Sequence, residues 1–115
     1  QLGAYTDCNH GEGLAVLHPV YYRHIYKKGV AKFKRFALKV WGVLTENRTD
    51  EEIALAGIKA LEEFILEIGL PATLRELGVN EKTDLRAIAD SCACVQGAYK
   101  IMTLEEIYEI FKECY

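Results

Sequence analysis

The segment "TDEEIALAGIKALEEFILEIGLP", residues 49–71, constrains the fold more than any other. Thr49 followed by Glu52 is a capping box, in which each side chain satisfies an amide left exposed at a helix start. Ile53, Ala56, Ala60, Leu61, Phe64, Ile65 and Ile68 then recur at three- and four-residue steps, the spacing of one helical face. Gly69 and Pro71 stop it. A helix with an apolar stripe of this width must be covered by other elements, and the rest of the chain offers only helices.

No stretch alternates apolar and polar residues long enough for a strand, and no repeat or low-complexity tract occurs. A helix is predicted from Gly11 to Lys28, with Asn9 as its N-cap, and another from Val30 to Trp41 before Gly42. After the 49–68 helix, "ATLRELG" forms a short helical turn. Thr83 caps a further helix carrying Leu85, Ile88, Ala89 and Cys92 and ending near Gly97. Thr103 with Glu106 is a second capping box, opening a last helix with Leu104, Ile107, Tyr108, Phe111 and Cys114 on its apolar side. The result is an all-α, five- to six-helix bundle-like domain spanning residues 1–115, a length suited to one core.

Composition then removes several function classes. No apolar run approaches the ~20 residues that cross a bilayer, so no membrane span is expected. Residues 1–48 hold eight Lys/Arg against three Asp/Glu, and residues 49–115 hold six against fourteen, so the two parts carry +5 and −8. The basic stretch "YKKGVAKFKRFALKVW" mixes cations with aromatics as nucleic-acid binders do. Here Val30, Phe33, Phe36, Ala37, Val40 and Trp41 follow helical spacing, which makes the aromatics a buried face and the lysines a solvated one. With a net charge of −3, no nucleic-acid partner is expected.

The cysteines Cys8, Cys92, Cys94 and Cys114 match neither a zinc knuckle nor a redox pair, and read as reduced thiols in a cytoplasmic protein. Cys92 and Cys94 fall two apart in a helical pattern and so face different ways, against a shared metal. Paired glutamates such as Glu51 and Glu52 read as helix-start charge. No nucleophile with an adjacent base and no phosphate-binding glycine loop is present, so no catalytic residue is assigned.

All three histidines lie in "DCNHGEGLAVLHPVYYRH", residues 7–24. His10 and Gly11 begin the first helix. Gly11 and Gly13 each cost a helix about 1 kcal/mol relative to alanine, so a close approach to this helix end is expected. His18 stands eight residues after His10, two turns away and too far to share an ion with it on a straight helix. It precedes Pro19, which frees a carbonyl one turn back and kinks the helix. His18 is read as packing and His24 as surface. On spacing alone, His10 is one polar residue at a helix start, and one ligand does not make a metal site.

The segment "DCNHGEGLAVLHP" resembles the last metal-ligand motif of the iron-containing (group III) alcohol dehydrogenases. His10, Gly11, Leu14, Ala15, Val16, Leu17 and Pro19 occupy its positions, with His18 where the family more often has an aromatic or aliphatic residue. "FALKVWG", "IKALEEFILEIGLPATLRELGV" and "MTLEEIYEIFKECY" extend the resemblance to the end of the chain, nearest the butanol dehydrogenase branch. The resemblance implies the C-terminal part of the family's helical domain, with the N-terminal nucleotide-binding domain missing. It implies His10 as one ligand of a divalent metal, iron or zinc, whose aspartate and two further histidines lie outside this chain. It further implies NAD(P)H as cofactor, hydride transfer between a small-molecule primary alcohol and its aldehyde, and a homodimer.

The chain starts at Gln1 rather than methionine and is expected to be a fragment, inactive alone and without specific metal or cofactor binding. A severed fragment would expose an apolar patch around Leu2, Tyr5, Leu14 and Leu17. The competing reading is a free-standing helical protein-interaction domain, polar all round except at one rimmed site.

Overall fold

The computed structural model describes residues 1–94 and 96–115. Six α-helices and two short 3-10 turns account for the regular structure, with no strand among the described residues. They are α1 (Leu2–Thr6), α2 (His10–Ile25) running into a 3-10 turn at Tyr26–Lys28, α3 (Val30–Trp41), α4 (Asp50–Glu67), a 3-10 turn at Arg75–Leu77, α5 (Leu85–Asp90) and α6 (Leu104–Cys114). The all-α reading holds.

The caps explain where these helices start. Asn9 Oδ1 accepts from the amides of Gly11 at 2.9 Å and Glu12 at 3.3 Å. Thr103 and Glu106 close a full capping box, at 3.2 and 2.9 Å. At Thr49 only the hydroxyl half forms, accepting from Glu52 N at 3.2 Å. α4 ends in a Schellman motif: Gly69 has φ 81°, Leu70 N donates to Ile65 O and Gly69 N to Leu66 O, both at 3.1 Å.

Three boundaries differ from the sequence reading. α1, five residues long, was not foreseen, because so short a helix shows no periodicity. α5 is capped by Asp84, whose Oδ1 accepts from Ala87 N at 2.9 Å, and not by Thr83, which instead accepts from Asn80 N. It ends at Asp90 rather than near Gly97, where the Ser91 hydroxyl donates to the Ile88 carbonyl at 2.7 Å and offers that acceptor a local partner. Cys92 and Cys94 therefore lie beyond the helix, and an argument from helical faces does not apply to them.

α3 and α4 pack most closely and run parallel. Lys34 meets Asp50 at 2.8 Å, Ala37 meets Gly57, and Trp41 meets Phe64 with ring centroids 5.6 Å apart, advancing together along both helices. Residues 42–49 carry the chain back about 18 Å, well within the reach of eight residues. The contact rotates α4 from its predicted stripe: it buries Ile53, Ala54, Gly57, Ile58 and Ile65, while Phe64 and Ile68 are exposed. Gly57, opposite Ala37, lets α4 approach α3 closely, and Phe64 and Ile68 are left at its flank. Val40, predicted to be buried, is exposed for the same reason.

α2 crosses both this pair and the α5–α6 pair. Arg23 at its end pairs with Glu62 of α4 at 3.1 Å, and His24 Nε2 lies 2.8 Å from Glu113 Oε2 of α6. Leu74 N donates to the Cys114 carbonyl at 2.8 Å, fastening the α4–α5 connection to the end of α6. Ile58, Leu74 and Ile88 are the largest fully buried side chains. The body is a slab of 46 × 32 × 18 Å, under two helix diameters thick. Its surface of 7183 Å² exceeds the roughly 6,300 Å² typical of a 13.0 kDa monomer. The difference is about one side of a standard protein interface.

The expected patch at Leu2, Tyr5, Leu14 and Leu17 is only partly there. Leu2 is buried, Leu14 and Leu17 are half-buried, and Tyr5 alone is exposed. α1 folds over this region and covers it. Large exposed apolar side chains gather instead at the far end of α3 and α4, at Val40, Leu44, Phe64, Leu66 and Ile68. Beside them the Trp41 indole N–H is buried without a hydrogen-bond partner among the described residues.

Candidate metal-ligand site and its cavities

His10 is the first residue of α2 and is exposed. The approach to it is fixed by Asp7, which turns the chain in the left-handed region at φ 55°, and by Asn9, which holds the helix start. The close approach expected at the glycines is modest. A Cβ on Gly13 would lie 3.4 Å from Leu2 Cδ2 of α1 and 3.7 Å from Cys8 Sγ in the α1–α2 connection, both ordinary contacts. Gly11 would meet only Asn9 Oδ1, at 3.4 Å.

His10, Cys8 and Cys92 line one cavity of about 210 Å³ together with Leu2, Gly13, Leu14 and Leu17. Cys8 is visible in sequence two residues before His10. Cys92 is brought in by the fold, and nothing local in the sequence signals it. No three His, Cys, Asp or Glu side chains among the described residues converge to hold an ion. His10 is exposed at the edge of this cavity, which the Cys8 and Cys92 thiols also line.

The three histidines are dispersed. His18 stacks on Tyr22, with centroids 5.3 Å apart and planes at 11°, and packs as expected. Burial holds its pKa below the ordinary value, and the charge of His10 lowers it further. His24 was read as a surface residue; it is half-buried and engaged with Glu113. His18 separates two further cavities. One, of about 250 Å³, lies between α2 and α6, and the other, of about 390 Å³, is walled by Tyr22, Phe33, Phe36 and Tyr99.

All four cysteines are free. Burial pushes the Cys114 thiol up to about 12, and its Sγ faces the Val16 carbonyl at 3.8 Å. Cys114 is therefore expected to resist thiol reagents at pH 8 until the chain unfolds, while exposed Cys94 reacts at once, as a timed thiol titration with and without denaturant will show. The pKa is raised in the folded state, so the folded thiol keeps a proton that the unfolded one loses. The contribution to stability is present below pH 9 and falls as pH rises from 9 toward 12. Equal labelling of Cys114 and Cys94 in the native chain would contradict this burial.

Comparison with known proteins matches residues 1–115 to a model described as "Fe-containing alcohol dehydrogenase family, C-terminal". The chain is 34% identical over 120 residues to NADH-dependent butanol dehydrogenase A of Clostridium acetobutylicum, covering 100% of this chain and 30% of that protein. It is 32% identical over 113 residues to lactaldehyde reductase of Escherichia coli K12, covering 96% and 29%. The crystal structure of NADH-dependent butanol dehydrogenase A from Thermotoga maritima superposes with a TM-score of 0.82 at 30% identity, over 98% of this chain and 30% of that one. A 1,3-propanediol oxidoreductase superposes at 0.86 with 29% identity, over 99% and 30%. The chain spans about 30% of the length of these relatives. It belongs to the iron-containing alcohol dehydrogenase family, within the C-terminal helical part.

Proposed function

We propose that this chain is the C-terminal helical part of an NADH-dependent, metal-dependent alcohol dehydrogenase that interconverts a primary alcohol and its aldehyde, with His10 as one metal ligand. The observation that carries the proposal is the placement of His10, capped at the start of α2 and on the wall of a cavity, in a chain matched throughout by the family's C-terminal model. NADH is favoured over NADPH by the names of the butanol dehydrogenase relatives. A bound divalent ion, iron or zinc, supplies a Lewis acid for the carbonyl or alkoxide oxygen. The chain's own residues hold the imidazole at the cavity edge through the Asn9 cap, and Leu14 and Leu17 present an apolar wall that excludes water.

The rest of the ligand set, an aspartate and two histidines, and the nucleotide-binding domain belong to other parts of the protein. The slab shape, the excess surface and the exposed apolar end of α3–α4 support this assignment, since each suits a body that packs against more protein. A homodimer and a cytoplasmic location complete the proposal, the latter supported by four free thiols. The 115-residue chain alone is expected to be inactive.

The test is His10→Ala in the longer protein, with metal measured by elemental analysis beside alcohol oxidation and aldehyde reduction. Removing a group that only supports a ligand weakens metal binding about 10- to 100-fold, so loss of the ligand itself is expected to exceed about 100-fold, with turnover lost alongside. Unchanged metal content and turnover would remove His10 from the ligand set.

A further inference from the structure

His10, Leu14, Leu17 and Tyr21 follow one another at four-, three- and four-residue steps, so they form a single stripe along α2. The cavity at His10 and the 250 Å³ cavity beyond it both use this stripe, and both are lined by Leu14, Leu17 and Phe111. The second continues to Tyr21, with Met102 and Ile107 on its other side. Its lining is mostly apolar, and its side chains with a polar or titratable group are His18, Lys100, Tyr21 and the exposed Cys94. A largely apolar trough with an exposed imidazole at one end has the polarity of a linear amphiphile.

We propose that the two cavities form one alkyl-binding groove, in which an unbranched primary alcohol or aldehyde lies along α2 with its oxygen at His10 and its tail toward Tyr21. This rests on the alcohol dehydrogenase reading for the identity of the head group, and specifies the substrate class as medium- to long-chain. Eleven residues separate His10 from Tyr21, a run of about 16 Å along the axis. An extended alkyl chain advances about 1.3 Å per carbon for bonds near 1.5 Å, so the groove accommodates about twelve carbons.

The experiment measures binding of 1-alkanols of four to fourteen carbons to the metal-free 115-residue chain, by displacement of a fluorescent alkyl probe. Affinity is expected to rise about fourfold per methylene, the equivalent of about 0.8 kcal/mol, and to level off near twelve carbons. Leu17→Trp, at the junction of the two cavities, is expected to bring the plateau down to about eight carbons or fewer, the distance from His10 to Leu17 being about 10 Å. Tyr21→Ala is expected to move the plateau to longer chains, a gain that a misfolded variant cannot mimic. Affinity independent of chain length, or a plateau that neither substitution moves, overturns the groove. Because no metal is present, this outcome is separate from that of His10→Ala: loss of the metal role would leave the chain-length profile intact, and a flat profile would leave the metal role standing.

Discussion

Gly57→Leu is expected to prevent the chain from folding, and Gly57→Ala to destabilise it by about 1–3 kcal/mol, the usual range for overpacking a core. A Cβ on Gly57 would lie 2.5 Å from Ala37 Cβ, 2.8 Å from Ala37 Cα and 3.2 Å from Ala37 N. Two of those atoms belong to the backbone of α3, so relief requires the helices to separate. Helix propensity pulls the other way, since alanine is favoured over glycine by about 1 kcal/mol in a helix interior. The sign of the change therefore decides which effect dominates. Urea unfolding of the wild type, Gly57→Ala and the double variant Gly57→Ala with Ala37→Gly measures it. The single variant should unfold at lower urea, and the double variant should recover part of the loss by removing the nearer Cβ. A more stable Gly57→Ala would mean that α3 and α4 are not held at this distance.

That close contact also shows where the sequence stops being readable. Caps at Asn9 and Thr103 act within three residues, so their chemistry is local and the helix starts can be read directly. Which face a helix buries depends on its partner. The widest apolar stripe on α4 included Phe64 and Ile68, yet the buried face runs through Ala54 and Gly57, because Gly57 opposite Ala37 allows the backbones to approach. The same limit applies to the candidate site. His10 was legible through its motif, whereas Cys92, from a loop far along the chain, reaches the same cavity only through the docking of α5 and α6. His24 was misjudged because Glu113 is remote in sequence.

Ile88→Ala is expected to cost about 2–5 kcal/mol, the range for large-to-small substitutions at fully buried positions, and to release α5 ahead of the rest. α5 has six residues, far fewer than the 12–15 an isolated helix needs, so it survives only as a docked element. Ile88 and Ala89 are both 0% exposed and form its contact with the core. Arg86, on the same helix, makes the more conspicuous interactions: it pairs with Asp90 at 2.9 Å, pairs with Glu105, and lies over the Tyr108 ring at 5.3 Å. Those groups are solvated, and Arg86→Ala is expected to change stability little. Hydrogen exchange of the α5 amides, compared across the two variants and the wild type, separates the contributions. Faster exchange confined to α5 and its contacts with α6 in Ile88→Ala, with a near-native pattern in Arg86→Ala, is the outcome expected if burial holds the helix. The reverse order would mean that α5 is held by its charges, and that the α5–α6 pair, which supplies one wall of the groove beside His10, would loosen with salt.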